Sequence, residues 1–128
     1  MMGYTRHLFL YLLVQFFVTV WLIRFTFKLG IMAKFMNIVR CKVKSSSREE
    51  YLKIINEMPK FDGQISAKFV ETKPNEFFMI GEWNSEDDIA KARPKMIEFL
   101  DKARHTLEEL SPELGVTDPH SGTIIVEK

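Results

Sequence analysis

The chain has 128 residues, of which 46% are hydrophobic and 27% are charged, and its formal net charge is +1. This length suits one ordinary domain, and the composition excludes a wholly disordered chain or a collagen-like fibre. The charge is uneven, because residues 1–31 carry +3 and residues 32–128 carry −2. A slightly acidic domain is a poor match to nucleic-acid phosphates, so we expect no nucleic-acid partner.

The first segment contains a long apolar run, LFLYLLVQFFVTVWLI, from Leu8 to Ile23. As a helix, this run would span roughly 24 Å, which is short of the ~30 Å hydrocarbon core of a bilayer. The apolar character continues after it, and Arg24 and Lys28 can reach toward the lipid headgroups. The pattern therefore predicts an apolar N-terminal helix that is marginally able to span a membrane.

Three interpretations of this segment are open. A cleaved signal peptide is disfavoured, because no small-x-small cleavage site follows the apolar run. If the segment is an anchor, the excess of basic residues after the run places the following domain in the cytoplasm, at the inner membrane. If translation instead starts at Met32, the domain is a soluble cytoplasmic protein. The predicted units are residues 1–31 and an independent domain of residues 32–128.

The second unit opens with a strand of period two, in which alternate residues from one face are mostly apolar. These residues are Phe35, Asn37, Val39, Cys41 and Val43. Cys41 is the only cysteine, so it forms no internal disulfide and is predicted to be a small core residue. The serines at 45–47 and the acids after Arg48 favour a short helix, capped by a hydroxyl and ended before Pro59.

A hairpin is predicted next. Ile65, Ala67 and Phe69 alternate with polar residues, Pro74-Asn75 marks a reversal, and FFMIGEW returns from Phe77 to Trp83. Gly81 inside the second strand indicates a bulge or a close backbone approach.

A second helix and a last strand complete the pattern. Ser85 and Asp88 resemble a capping box, and an apolar helical face then continues to Leu110. Pro94 is predicted to kink or divide this helix. The segment Thr123-Ile-Ile-Val-Glu127 is predicted to be the last strand.

The element order βαββαβ predicts an α+β, ferredoxin-like fold, with both helices on one face of a four-stranded antiparallel sheet. The strands also leave apolar groups on the other face, which a monomer would expose. We therefore expect a homodimer that joins two sheets face to face, as a dimeric α+β barrel. A cavity between helices and sheet, or inside the joined barrel, is the natural place for a small apolar ligand.

Residues 33–128 resemble the antibiotic biosynthesis monooxygenase-like (ABM) domains of the dimeric α+β barrel superfamily. The resemblance rests on MAKFMNIVRCKVK before a helix, on FFMIGEWNSEDDIAKARPKMIEFL, and on SPELGVTDPHSG near the end. The family includes cofactor-independent oxygenases of polycyclic phenols, haem-degrading enzymes, and aldehyde- or quinol-processing proteins. The resemblance thus implies a fold and a dimer, but it does not specify the reaction.

Cofactors are not supported by the residues. Haem-degrading relatives place a Trp and a His on the second helix, whereas the stretch from Ala92 to Lys102 contains neither type. Many other relatives carry a His where this chain has Arg93. No glycine-rich phosphate loop supports flavin or nicotinamide, and the histidines are too scattered for a metal site. We expect no cofactor and no metal.

A cofactor-independent oxygenase would need a hydrogen-bond acceptor, a cation near a phenolate and an aromatic wall. The catalytic candidates of these types are His105, Arg93 and Trp83, and Asn37 is a candidate ligand-binding residue. Each has a structural alternative. Trp83 also suits core packing, Arg93 and His105 also suit the surface, and Asn37 also suits a buried position with backbone hydrogen bonds.

Two functions from different classes follow. The first is a small cofactor-independent monooxygenase that acts on an aromatic or quinone-like molecule. The alternative is a non-catalytic dimeric domain that binds a small ligand or serves assembly, with or without a membrane tether through residues 1–31.

Overall fold

The computed structural model describes residues 33–128, together with Gln15, Val18 and Thr19. Ala33–Lys128 form one compact unit. Its elements are β1 (Phe35–Lys42), α1 (Arg48–Asn56), β2 (Gln64–Lys73), β3 (Glu76–Trp83), α2 (Glu86–Ala103) and β4 (Asp118–Thr123). Among the residues described, no helix is long and apolar enough to cross a membrane. The predicted N-terminal helix falls outside the described residues, apart from the three named.

The four strands form one antiparallel sheet in the order β2-β3-β1-β4. Phe35 at the start of β1 lies opposite Trp83 at the end of β3, and Cys41 lies opposite Phe77. The hairpin between β2 and β3 turns at Asn75, which has a positive φ of 64°. Together with α1 and α2, this order confirms the predicted ferredoxin-like α+β fold.

The two faces of the sheet differ in burial. The inner face, toward the helices, carries buried Phe35, Cys41, Phe77 and Trp83. The other side, which we call the open face, carries the apolar side chains of Met36, Ile38, Val70, Phe78 and Ile80. Ile38 is 38% exposed and Val70 is 42% exposed. The predicted apolar surface is therefore present on the side that α1 and α2 leave uncovered.

Two hydrophobic clusters fill the inner face at opposite ends of β1. The first surrounds Phe35 and Trp83 and includes Phe61, Ile89 and Ala92. The second surrounds Cys41 and Val43 and includes Tyr51, Phe77 and Leu107. Between these clusters, Val39, Phe69 and Met79 are only half-buried, so the helix layer does not fill the middle of the sheet.

The second helix differs from the prediction in two ways. Pro94 does not divide it, because Pro94 and Ala90, whose carbonyl would lose its donor, both lie on the exposed side. It ends at Ala103 rather than near Leu110. The backbone leaves the helix because Leu107 forms an isolated bridge with Val43, and the N–H of Glu108 donates to the carbonyl of Lys42 at 2.8 Å.

The last strand was predicted at Thr123–Glu127, and this prediction is wrong. The strand is Asp118–Thr123, a segment rich in turn-forming residues that pairs with β1 from Arg40 to Phe35. Pairing with β1 in this register therefore overrides the low strand propensity of the segment DPHSGT. The apolar residues Ile125 and Val126 extend past the sheet and are 85% and 68% exposed.

Both helix starts can be compared with their predicted caps. The hydroxyl of Ser85 accepts a hydrogen bond from the N–H of Asp88 at 3.2 Å, as the capping-box pattern predicts. Ser47 forms no side-chain cap for α1, because the Ser45–Ser47 stretch is a 3-10 turn that leads directly into the helix. The start of α1 is held instead by Arg48, which pairs with Glu71 and donates to the amide oxygen of Asn75 at 3.1 Å.

Candidate functional site

The gap between the two clusters is a cavity of about 340 Å³, which we call the central pocket. This volume lies at the lower end of the range of small-molecule sites, about 300–1,000 Å³. Its walls are apolar and come from the middle of the sheet and from both helices. They include Val39, Phe69, Met79, Ile55, Met96 and Leu100.

Few polar groups reach the central pocket. Arg93 from α2 lies at its rim, where its side chain is exposed, and Gln64 from the start of β2 lies in its wall, where it is buried. At the other end, the thiol of Cys41 lies 3.5 Å from the hydroxyl oxygen of Tyr51. The pocket thus combines apolar walls with one cation, one amide, one thiol–phenol pair and the hydroxyl-bearing residue Thr117.

The thiol–phenol pair is neutral at physiological pH. Burial raises the pKa of the Cys41 thiol, and the hydrogen bond with Tyr51 offsets this only in part. Burial also raises the pKa of Tyr51, and the neighbouring Cys41 raises it further. Neither group is therefore available as a base near neutral pH.

Trp83 and Asn37 form a buried pair beside this pocket. The indole N–H of Trp83 donates to the side-chain oxygen of Asn37 at 2.7 Å, and the two residues are 0% and 4% exposed. The bond crosses directly over Gly81, where an added Cβ would lie 2.3 Å from the Asn37 oxygen. The close backbone approach predicted at Gly81 is therefore confirmed, and its cause is this hydrogen bond.

The pair supports the pocket wall from behind. The ring of Trp83 stacks on Phe61, with centroids 6.3 Å apart and an angle of 23° between the planes. Phe61 in turn lines the central pocket, whereas Trp83 and Asn37 do not. Asn37 is buried, as its structural alternative predicted, but it bonds to a side chain rather than to the backbone.

His105 lies apart from the pocket residues. It belongs to the 3-10 turn after α2, is exposed, and places its Nε2 2.7 Å from a carboxylate oxygen of Glu50. Of the four candidates, the structure therefore brings Arg93 to the rim, sets Trp83 and Asn37 behind the wall, and leaves His105 at the surface. Within residues 33–128, no group of three or more His, Cys, Asp or Glu side chains is placed to bind a metal.

Several solved structures share this fold. One, from Chloroflexus aurantiacus, is named as a candidate antibiotic biosynthesis monooxygenase; it is 14% identical, the match covers 75% of this chain and 97% of that one, and the TM-score is 0.58. A similarly named protein from Bordetella bronchiseptica is 10% identical over 73% of this chain and 99% of that one, with a TM-score of 0.58.

The chain has the fold of the ABM-like domains. A third structure with this fold, named as a dimeric ferredoxin-like protein from an uncultured marine organism, is 16% identical over 75% of this chain and 91% of that one, with a TM-score of 0.57. No protein-family model and no curated protein matches the sequence. The resemblance drawn from the sequence motifs is thus confirmed at the level of the ABM-like fold.

In this ABM-like fold, Gln64 is the pocket residue that the sequence pattern misplaced. Strict alternation puts Ile65, Ala67 and Phe69 on one face and Gln64 on the other. A register shift between Gln64 and Ser66 instead leaves Ile65 39% exposed and returns Gln64 to the inner face, opposite Trp83. The bulge lies at the start of β2, which is an edge strand, and bulges are over-represented at sheet edges.

Proposed function

We propose that the protein is a small cofactor-independent monooxygenase that acts on an aromatic or quinone-like molecule. One observation carries the proposal: a single cavity of about 340 Å³ combines apolar walls with Arg93 at its rim. Planar rings suit apolar walls, and a guanidinium stabilises an adjacent phenolate. The names of the solved structures with this fold point to the same class of reaction.

The mechanism uses substrate electrons only. Arg93 favours the phenolate form of a bound phenol, which makes a ring carbon electron-rich. The apolar walls exclude water while that carbon reacts with dioxygen. At a ring CH2 group, one oxygen atom becomes the product carbonyl, and the other leaves as water with both hydrogens. No external reductant is consumed, so the chain needs only to bind, orient and ionise the substrate.

The four candidate residues take different parts in this proposal. Arg93 contacts the substrate anion, while Trp83 and Asn37 are positioning residues that hold Phe61 in the wall. His105 stays a candidate base that a pH–rate profile tests. If His105 accepts the substrate proton, His105→Gln lowers kcat/KM and changes the shape of the pH–rate profile. If it is a surface residue paired with Glu50, the profile is unchanged.

Oxygen uptake with a panel of quinols and phenols tests the proposal on the full chain. Arg93→Ala is expected to lower kcat/KM by about 10-fold or more, because a charge-assisted hydrogen bond in the transition state is lost. Arg104→Ala is the matched control, since Arg104 pairs with Asp101 on the exposed side. No uptake with any compound, or equal losses in the two variants, would contradict the proposal.

A non-catalytic ligand-binding domain is the second candidate, and one observation favours it. Cys41 and Tyr51, the other titratable residues in the pocket, have raised pKa values and supply no base. A binding domain needs none. Saturable binding of an aromatic ring without oxygen uptake would support this second function over the first.

We also propose that the protein forms a homodimer through the open face. An apolar surface made by Ile38, Val70 and their neighbours is costly in water, and a second copy covers it most simply. Ile38→Lys is expected to convert the dimer to a monomer in sedimentation equilibrium, whereas Ile97→Lys on α2 is the exposed control. A wild-type monomer at micromolar concentration would contradict the dimer.

For location, we propose that the domain lies in the cytoplasm, either anchored through residues 1–31 or starting at Met32. The basic residues after the apolar run support this side of the membrane. Mass spectrometry of the N-terminal peptide from native cells distinguishes the two forms. A peptide that starts at Met32 or Ala33 removes the tether, and an intact leader in the membrane fraction establishes it.

A further inference from the structure

Gln64 is the one buried amide in the wall of the central pocket. Its residue is 7% exposed, and its backbone N–H is satisfied by the carbonyl of Phe61 at 3.1 Å. Within residues 33–128, its side-chain amide has no hydrogen-bond partner. No polar side-chain atom in this range is both fully buried and without a partner, so the amide keeps some accessible surface. Gln64 is also one of the residues that line the central pocket.

The position of this amide follows from the backbone. The register shift at Ile65 turns Gln64 inward, and pairing opposite Trp83 sets it at the end of the pocket beside the first cluster. Arg93 lies at the rim and directly follows Ala92, which belongs to the same cluster. The Cys41–Tyr51 pair belongs to the second cluster. Gln64 and Arg93 are therefore the polar lining residues beside the first cluster, and Cys41, Tyr51 and Thr117 also contribute polar atoms to the wall.

The chemistry of an amide limits what binds there. A glutamine side chain offers both a donor and an acceptor. A hydrocarbon ring that fills the pocket would displace water from this amide and leave it unpaired, which is costly in an apolar surrounding. A ring with a hydroxyl or carbonyl oxygen at its edge replaces the lost hydrogen bond.

We propose that Gln64 is a specificity-determining residue, whose buried amide selects planar rings that carry a hydroxyl or carbonyl oxygen at one edge. This inference deepens the proposed function, because it rests on the same pocket and names the substrate feature that is recognised. It does not require turnover, so it also holds for a binding domain.

Binding of 1-naphthol and naphthalene tests this selection, because the two differ by one hydroxyl. Equilibrium dialysis is carried out on the full chain under argon, at pH 6, where 1-naphthol is neutral and oxygenation is suppressed. The wild type is expected to bind 1-naphthol about 10-fold more tightly than naphthalene. Gln64→Leu is expected to reduce this ratio to about one, mainly by binding naphthalene more tightly.

Two further variants separate selection from folding. Gln64→Met keeps the length of the side chain and is expected to lose the preference in the same way. Asn84→Leu makes the equivalent amide-to-leucine change at an exposed position and is expected to keep it. A thermal melt checks that each variant is folded.

The outcomes distinguish this inference from the proposed reaction. Equal binding of both compounds by the wild type, or a preference that survives in Gln64→Leu and Gln64→Met, overturns the selection by Gln64 while leaving oxygen uptake as a separate test. Absence of binding of either ring overturns both. Loss of the preference in both Gln64 variants supports the inference, even if no quinol drives oxygen uptake.

Discussion

Gly81→Ala is the substitution whose effect the structure determines most closely. An added Cβ would lie 2.3 Å from the Asn37 side-chain oxygen and 3.0 Å from the Trp83 indole nitrogen. Both atoms belong to a 2.7 Å hydrogen bond between residues that are 4% and 0% exposed. The methyl group therefore cannot enter unless the bond is broken or the strands shift.

The magnitude has three parts. Overpacking costs about 1–3 kcal/mol, and a buried indole N–H without its acceptor costs about 1–3 kcal/mol. Replacing glycine by alanine in a strand returns about 0.5–1 kcal/mol. We expect Gly81→Ala to lower the free energy of unfolding by about 1–5.5 kcal/mol. Urea denaturation followed by circular dichroism measures this as a lower midpoint with an unchanged slope.

A matched control and a double-mutant cycle make this test specific. Gly122→Ala is also in a strand, but its added Cβ meets nothing within 4 Å, so we expect little loss or a small gain. In an Asn37→Ala background, the nearest clashing atom is absent, and Gly81→Ala should cost about 1–2 kcal/mol less than in the wild type. Equal costs in both backgrounds, or a Gly81→Ala variant as stable as Gly122→Ala, would refute the reasoning.

Two further predictions concern titrating groups. Pairing with Arg48 and a hydrogen bond from the Asn75 N–H hold the pKa of Glu71 below its ordinary 4.5. Ionised Glu71 therefore stabilises the fold above pH 4.5, and this effect is lost as the pH falls through the lowered pKa of the folded state. Glu71→Gln should therefore lower the urea midpoint at pH 7, and the difference from the wild type should shrink below pH 4.5. The control Glu113→Gln, at an exposed position, should change the midpoint little. A difference between Glu71→Gln and the wild type that stays constant with pH would contradict the pairing. Burial raises the pKa of Cys41, so iodoacetamide at about pH 8 should alkylate the native thiol at least ~10-fold more slowly than the urea-unfolded one. Equal rates would show that the thiol is neither buried nor shifted.

The fold was predictable where local patterns and tertiary contacts agree. The alternation in β1 placed Phe35 and Cys41 inward because a two-residue period leaves only two faces. The glycine at 81 indicated a bulge or a close backbone approach, and the structure has the close approach. These signals depend on neighbouring residues alone.

The errors arise where a distant contact decides. The segment DPHSGT becomes β4 because it pairs with β1, while the more strand-like residues after it extend past the sheet. The helix ends early because Leu107 bridges to Val43. In both cases, partner contacts override the local pattern.

The sequence predicted the types of residue at the candidate site better than their positions in the fold. Arg93 reaches the pocket rim and His105 lies at the surface, although residue type alone made both of them catalytic candidates. The position of His105 depends on where α2 gives way to a 3-10 turn. Gln64 was missed because one bulge reverses its face, and no periodic pattern records a bulge.

The central claim is that an aromatic ring binds between the helices and the sheet, and methionine methyl NMR tests it most directly. Met58, Met79 and Met96 line the central pocket, whereas Met36 lies on the open face. With 13C-methyl-methionine labelling, titration of 1-naphthol should shift the three pocket methyl resonances and leave that of Met36 unchanged. A shift of Met36 without shifts of the other three would place the ring on the open face and contradict the account.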